Sequence, residues 1–281
     1  LHDILVIEGH FDTRNGDGCD TQGYTPGSDD NGSGTVLVME AARLLAKYTF
    51  DRTILFTTPT GEDQGLWGAK AWANYLSDMD IDVLACLNND VVGGIYCGKT
   101  SSPPSCPYYG HIDSTHVRVF SYVSGNSTYA DSPHKQLARL IKIIQEEEVN
   151  PYLSTPMIVN IMTTEDRSGR SGDHIPFRQK GYTAIRFCSA NEHGNGRGDY
   201  PDRQHSTRDV LGVDSDQNGE FDTLYVDPGY LSRNTLINTV TLANLANSVP
   251  SQQFVFNPIP SGVQINVVEK DKGITGYRVG I

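Results

Sequence analysis

The chain has 281 residues, of which 37% are hydrophobic, and its 34 acidic and 22 basic side chains give a formal net charge of −12. A chain this acidic lacks the basic surface that binds nucleic acid or anionic lipid, and no apolar run approaches the roughly eighteen residues that a membrane-spanning helix needs. The composition therefore favours a folded globular protein and excludes nucleic-acid binders, membrane-spanning proteins and disordered chains.

Strand-like and helix-like segments alternate along most of the chain. Short apolar runs predict five strands, and apolar residues at helical spacing predict four helices. The predicted strands are 3–8, 53–59, 82–89, 156–163 and 182–188, and the predicted helices are 34–48, 65–79, 133–148 and 229–247. This alternation predicts an α/β fold with a mixed, mainly parallel sheet that has helices on both faces.

The segment after Val249 follows a different pattern, with strand-like alternation, proline and glycine turns and no helical period. We therefore predict one domain over residues 1–248 and a short β-rich tail over residues 249–281. The tail resembles the opening strands of a fibronectin type III-like β-sandwich that is truncated at Ile281.

Five cysteines are too few for a disulfide framework. Cys97 and Cys106 bracket a loop rich in serine and proline, and they could close it as one bridge. Such a bridge would favour a secreted or otherwise extracytoplasmic protein.

Most members of one set of histidine and carboxylate side chains lie just past a predicted strand or at the start of a helix, and one histidine comes much later in the chain. The set consists of His10, Asp12, Asp30, Glu62, Asp63, Asp90 and His205. Because ligands bind beyond the carboxyl ends of the strands in such sheets, we expect these side chains to lie together. Imidazole and carboxylate suit zinc, and the set offers more ligands than one tetrahedral ion needs. The sequence therefore predicts two ions bridged by one carboxylate.

Two features of this set indicate roles other than metal binding. Asp12 follows His10 by two residues, so it can accept the ring N–H of His10 that faces away from the metal. Glu62 and Asp63 are adjacent, so one of them can bind metal while the other acts as a general base for water.

Each of these motifs has a plainer interpretation when it is taken alone. A histidine two residues before an aspartate is more often a surface turn, and acidic pairs before helices are commonly N-caps. A single late histidine is more often a solvated loop residue. The joint order of the motifs on successive strand ends is what favours a metal site.

The order of the motifs resembles that of the co-catalytic, dinuclear zinc aminopeptidases of metallopeptidase clan MH, the bacterial leucyl-type aminopeptidases. That family has HxD, then DxxSG at a helix start, GE(E/D)xGLxG after a strand, NxD and a late histidine. Here the pattern reads His10-Phe11-Asp12, Asp30-Asn31-Gly32-Ser33-Gly34, Gly61-Glu62-Asp63-Gln64-Gly65-Leu66-Trp67-Gly68, Asn88-Asn89-Asp90 and His205, within residues 3–247. The resemblance implies the three-layer fold of zinc exopeptidases.

The resemblance also implies a role for each residue. The implied ligands are His10, Asp30 and Asp90 for one zinc ion and Asp30, Asp63 and His205 for the other, with Asp30 as the bridge. Glu62 would be the general base. The acidic rim would bind a free α-amino group, so the implied substrates are peptide or protein N-termini.

The chain departs from the family pattern in several places. Asp63 stands where glutamate is usual, and Gln204 stands where some relatives have tyrosine. An extra Gly172 interrupts the Arg-Ser-Asp-His stretch that makes Arg170 and Asp173 candidates for substrate binding. The family also has strands and helices before the first motif, so we expect this chain to be a fragment or a cleaved form.

A second metal site is predicted between His205 and the last helix. Residues 214–222 follow the calcium-loop pattern D-x-D-x-N-G, and the candidate ligands are Asp214, Asp216, Asn218, Glu220 and Asp222. Tyr225 occupies the position of the bidentate glutamate of an EF-hand, and no paired helices flank the loop. We therefore expect a calcium loop of a different kind.

Two other functions are compatible with the sequence. A glutaminyl cyclase-like enzyme with a single zinc ion would use Asp30, Asp63 and His205 and would not need His10. A non-catalytic receptor or adhesion relative of the same fold would typically lose metal ligands or the base. Because the full set is chemically competent, a zinc aminopeptidase is the predicted function.

Overall fold

The computed structural model describes residues 3–17, 19–123, 132–196, 201–248 and 254–267. The chain divides into two compact units, Leu1–Ala246 and Asn247–Ile281. The identity of the tail as a truncated β-sandwich stays a prediction, because residues 268–281 lie outside the described residues.

Six strands form the central sheet of the first unit. They are β1 (Ile4–Glu8), β2 (Ile54–Thr57), β3 (Val83–Asn89), β4 (His116–Ser121), β5 (Ile158–Ile161) and β6 (Ala184–Ser189). Their order across the sheet is β2-β1-β3-β6-β4-β5, and every neighbouring pair is parallel except β4 and β6. The predicted mixed, mainly parallel sheet is therefore confirmed.

Helices cover both faces of this sheet, as predicted. They are α1 (Gly32–Leu45), α2 (Trp67–Asp78), α3 (Pro133–Ile144), α4 (His174–Gln179) and α5 (Pro228–Ala246). Leu37, Ile141 and Ile237 bring α1, α3 and α5 into the larger apolar core. Ala73 and Phe177 bring α2 and α4 into a second core. None of the described helices is long and apolar enough to cross a membrane.

Strand β4 is the main element that the sequence does not predict. Arg118 interrupts its apolar run, yet the side chain is only 3% exposed. The Arg118 guanidinium donates from Nε to the carbonyl oxygen of Ser189 on β6 at 2.7 Å. A buried arginine needs such a partner, and a local pattern cannot show a partner that is distant in sequence. Helix α4 and the small hairpin of β7 (Gly212–Val213) and β8 (Thr223–Leu224) are also unpredicted.

The described part of the tail is an antiparallel hairpin of β9 (Phe254–Ile259) and β10 (Gly262–Val267). Gly262 begins β10 with a φ of +143°, a conformation that L residues with side chains rarely adopt. The hairpin agrees with the strand-like alternation of this segment.

The ends of β1 and β3 meet the start of α1 at a point of close backbone contact. A Cβ atom on Gly9 would lie 2.7 Å from the carbonyl carbon of Gly34 and 2.9 Å from the carbonyl oxygen of Asn89, so a larger residue would push these elements apart. Asn31 caps α1, since its Oδ1 accepts from the backbone N–H of Gly34 at 3.1 Å. Its Nδ2 donates to the carbonyl oxygen of Asn89 at 2.9 Å. These contacts hold the ends of β1 and β3 against the start of α1, and so they fix the positions of the neighbouring residues in the chain.

Candidate metal centre

The five predicted metal ligands come together at the carboxyl edge of the sheet. They are His10 after β1, Asp30 before α1, Asp63 after β2, Asp90 after β3, and His205 in the loop after β6. Each of these side chains is at most 7% exposed. Carboxylates and imidazoles this well buried need partners or bound ions.

Asp30 lies between the two histidines. Its Oδ1 is 3.5 Å from Nε2 of His10, and its Oδ2 is 3.1 Å from Nε2 of His205. The backbone N–H of Asp30 donates to Oδ2 of Asp209 at 3.0 Å, which helps to fix the turn before α1. With one oxygen facing each histidine, the Asp30 carboxylate has the arrangement of a ligand shared by two ions.

The carboxylates of Asp90 and Asp63 complete two groups of ligand atoms. Oδ2 of Asp90 lies 3.8 Å from Nε2 of His10, and Oδ1 of Asp63 lies 3.2 Å from Nε2 of His205. Zinc bonds of about 2.0–2.2 Å in tetrahedral geometry place ligand atoms about 3.3–3.6 Å apart, and the observed separations of 3.1–3.8 Å extend to either side of that range. Nε2 of His10 and Oδ2 of Asp63 are also buried without a hydrogen bond, and a bound cation would satisfy both.

The cluster stabilises positive charge. Burial lowers the pKa of His10, but the nearby Asp12, Asp30 and Asp90 carboxylates raise this pKa well above its ordinary value. Burial likewise opposes protonation of His205, yet contacts with Asp30 and Asp63 raise its pKa to about 9. The Asp30 carboxyl is buried, but the two histidines hold its pKa well below the ordinary range. These shifts indicate a site that favours cations.

Each histidine also has a partner on its other ring nitrogen. Nδ1 of His10 lies 3.1 Å from the backbone carbonyl oxygen of Asp12 and 3.5 Å from its carboxylate Oδ1, so Asp12 adjoins the ring nitrogen that faces away from the other ligands. Nδ1 of His205 instead lies 2.5 Å from Oδ1 of Asn195. The two histidines are therefore oriented by partners of different charge.

Glu62 lies in the same cavity as the ligands. This cavity has a volume of about 280 Å³, and its acidic lining consists of Asp30, Glu62, Asp63 and Asp90. Burial and the charge of Asp90 raise the pKa of Glu62 well above its ordinary value. A carboxyl group that holds a proton more firmly than usual suits transfer of that proton during a reaction.

The two predicted substrate residues occupy different places. Arg170 lines the cavity, where its Nε donates to Oγ of Ser102 at 3.1 Å and its Nη2 donates to Oε1 of Gln204 at 3.0 Å. Asp173 is fully buried at the start of α4 and is not among the lining residues. The structure therefore brings Arg170, and not Asp173, to the cavity.

A buried ion network that the sequence does not reveal adjoins the ligands. It contains three arginines and three carboxylates: Arg118, Arg167, Arg186, Asp90, Asp166 and Glu192. Nη2 of Arg186 forms an ion pair with Oδ2 of Asp90 at 2.7 Å, and its Nη1 donates to Oδ2 of Asp166 at 3.1 Å. Arg167 pairs with Glu192, and Nη2 of Arg118 lies 3.6 Å from the same glutamate. The one sequence signal of this network is Arg186, because it is a charged residue within an apolar strand.

Arg14, outside this network, is a further arginine that the sequence analysis does not identify. Its Nε donates to Oδ1 of Asp63 at 2.7 Å, and its side chain is 19% exposed. It lies in an irregular segment after β1, where no periodic pattern predicts a contact. Nothing local in the sequence indicates this ion pair.

The predicted calcium ligands lie in the loop between β7 and β8. Carboxylate oxygens of Asp214, Asp216 and Asp222 lie within 4.8 Å of one another. Oδ2 of Asp214 accepts from the backbone N–H of Gly219 at 2.8 Å, and Nδ2 of Asn218 donates to Oδ2 of Asp216 at 3.1 Å. Glu220 is exposed and is not part of this group. Calcium binding here stays a prediction from the sequence.

Comparisons with known proteins agree on one family. The model of peptidase family M28 matches residues 2–224 of the chain. The chain is 32% identical over 276 residues to a probable zinc metalloprotease of Pyrenophora tritici-repentis, covering 94% of this chain and 56% of that protein. The chain therefore spans about half the length of the curated relatives that it matches.

Solved structures show the same fold at lower identity. The LapA aminopeptidase of Legionella pneumophila is 21% identical with a TM-score of 0.58, over 88% of this chain and 52% of that chain. BSAP, a zinc aminopeptidase from Bacillus subtilis, is 19% identical with a TM-score of 0.51, over 87% of this chain and 46% of that chain. At this level of identity the likeness concerns the fold.

Proposed function

The chain belongs to peptidase family M28, and on that basis we propose that it is a zinc-dependent aminopeptidase with two metal ions. The observation that carries the proposal is the position of Asp30, whose two carboxylate oxygens each face a different histidine. His10 and Asp90 complete one ligand group, and Asp63 and His205 complete the other.

The side chains divide the chemistry between them. Zinc ions held by the two groups would supply Lewis acidity that polarises the peptide carbonyl and makes water easier to deprotonate. The Glu62 carboxylate would take a proton from the attacking water and then deliver it to the leaving amine. Asp12 would orient the His10 ring, and Asn195 would orient the His205 ring.

The size and charge of the cavity support action at a chain end. A volume of about 280 Å³ lies at the lower limit of the roughly 300–1,000 Å³ of drug-sized ligand pockets, which suits one terminal residue better than a run of chain. Of the four carboxylates that line it, Glu62 alone is not a proposed zinc ligand, so Glu62 is the one free to attract a protonated α-amino group. We therefore propose peptide or protein N-termini as substrates.

The test combines metal analysis with a matched set of peptides. We expect about two zinc ions per chain, bound with calcium in excess so that the 214–222 loop does not take up zinc. Peptides with a free N-terminus should be hydrolysed, whereas the same peptides with an acetylated N-terminus should not. One zinc ion and cyclisation of an N-terminal glutamine would favour the cyclase-like function, and neither metal nor turnover would favour the non-catalytic relative.

A substitution tests the role of Glu62. Glu62→Gln should keep both ions and lower turnover by about 10²- to 10⁴-fold, because an amide cannot accept the proton. Glu40→Gln, at an exposed position on α1, is the matched control and should leave turnover unchanged. Unchanged turnover in Glu62→Gln would contradict the assignment of this residue as the base.

We also propose an extracytoplasmic location. Cys97 and Cys106 form a disulfide, and structural disulfides persist mainly in oxidising compartments. Recovery of the bridged protein from the culture medium of its source would support this location, and recovery only in reduced form from cytosol would contradict it.

A further inference from the structure

The metal ligands Asp90 and Asp63 are each in contact with one arginine. Arg186 lies 2.7 Å from Oδ2 of Asp90, and Arg14 lies 2.7 Å from Oδ1 of Asp63. We call the His10–Asp90 group the inner position and the Asp63–His205 group the outer position. Both positions share Asp30, so a difference in their affinity for a cation must come from other neighbours.

The partners behind the two histidines differ by one unit of charge. Asp12 stands behind His10, with its backbone carbonyl oxygen 3.1 Å and its carboxylate Oδ1 3.5 Å from Nδ1 of the ring. Asn195, a neutral amide, stands behind His205. At the inner position the positive charge of Arg186 is therefore offset by Asp12, whereas at the outer position the charge of Arg14 is not offset in this way.

The surroundings of the two arginines add to this difference. Arg186 pairs with a second carboxylate, Asp166, at 3.1 Å. For Arg14, Asp63 is the one carboxylate partner that the described residues provide. The Asp63 oxygen that accepts from Arg14 is also the oxygen that lies 3.2 Å from Nε2 of His205. A cation bound at the outer position, through this oxygen or through the unpartnered Oδ2, would thus share the Asp63 carboxylate with a guanidinium.

We propose that Arg14 is a positioning residue that keeps the metal affinity of the outer position below that of the inner position. The inference rests on the proposed two-ion site. Arg14 holds the Asp63 carboxylate toward His205 and at the same time repels a divalent ion there. The Arg14 guanidinium and a divalent ion would both contact the Asp63 carboxylate, so they would lie close together. Even at the dielectric constant of water, their repulsion would lower the affinity for the ion about tenfold.

The experiment measures zinc binding by metal-free protein against a chromophoric chelator, with calcium in excess. The wild type should bind two zinc ions, one more weakly than the other. Arg14→Met should tighten the weaker ion about tenfold or more and leave the tighter ion unchanged. Asn195→Asp, which places a carboxylate behind His205, should also tighten the weaker ion.

Two further variants separate charge from general disturbance. Arg14→Lys keeps the positive charge and should bind zinc like the wild type. Arg43→Met removes an exposed arginine that pairs with Glu40 on α1, and it should also match the wild type. If Arg14→Met leaves the weaker ion unchanged or loosens it, the proposal is wrong. If the wild type binds fewer than two ions, the two-ion function itself fails, which is a different outcome.

Discussion

Glu192 provides a sharp test of the buried ion network. Its side chain is fully buried, and its Oε2 contacts Nη1 of Arg167 and lies 3.6 Å from Nη2 of Arg118. The three arginines and three carboxylates of the network sum to zero charge. Glu192→Gln preserves the size of the side chain but leaves one buried positive charge without its counterion. Breaking a buried ion pair from one side costs about 3–5 kcal/mol of unfolding free energy, and we expect a loss of this size.

Urea unfolding monitored by circular dichroism, with calcium and zinc concentrations held fixed, measures this loss. Glu40→Gln is the matched control, since Glu40 and its partner Arg43 are exposed, and it should show no measurable change. Arg118→Met combined with Glu192→Gln restores neutrality and should recover part of the lost stability. If Glu192→Gln lowers the free energy of unfolding by less than about 1 kcal/mol, the view that these buried charges stabilise one another is refuted.

The same network and the 214–222 loop give two further predictions. The arginines hold the pKa values of Asp166 and Glu192 below their ordinary values of 3.8 and 4.5 in spite of burial, so the folded state releases these protons more readily than the unfolded state. Their stabilisation is therefore complete above about pH 4.5 and is lost as the pH falls further, and Glu192→Gln should show a shallower decline in urea unfolding free energy between pH 5 and pH 3. Calcium should raise the melting temperature of the wild type but not of Asp214→Asn, with Asp51→Asn as an exposed control. No calcium-dependent shift in the wild type would count against the predicted calcium loop.

The sequence predicts four of the five metal ligands because they lie near boundaries that a periodic pattern reveals, whereas His205 lies in a loop and is predicted by its place in the order of the motifs. His10 and Asp90 follow apolar runs that can only be buried strands, and Asp30 precedes a helix with a clear apolar stripe. In a parallel sheet these boundaries share one edge, so their convergence follows from the fold class. The structure places all five candidate ligands within this one cluster.

The partners of the ligands are not predictable in the same way. Arg14 and Asn195 lie in irregular segments, and their contacts depend on where long loops return to the sheet. Arg118 and Arg186 interrupt strands, so they weaken the very pattern that identifies a strand. Buried charges become interpretable only when their counterions, which come from remote parts of the chain, are located. For the same reason β4 and its place between β5 and β6 could not be predicted.

The loops around the disulfide illustrate a further limit. Asp202 accepts hydrogen bonds from the backbone N–H groups of Lys99 and Thr100, and Asn191 donates to the carbonyl oxygen of Ile95 at 2.9 Å. These contacts join residues about a hundred positions apart, and they tie the loop after β3 to residues on either side of Asn195, which lines the cavity. Loop walls of this kind determine side-chain specificity, and no periodic pattern records them.

The spacing of the ligands along the chain has a consequence for synthesis on the ribosome. The inner position draws on residues up to Asp90, whereas the outer position needs His205, which is translated much later. Between the two come β4, β5 and β6, and β6 carries the arginine that contacts Asp90. Because chains emerge from the N-terminus first, a nascent chain presents exposed aspartates for some time before the second histidine can join them. Metal uptake by this protein is therefore expected to finish only after all six strands of the central sheet have been made.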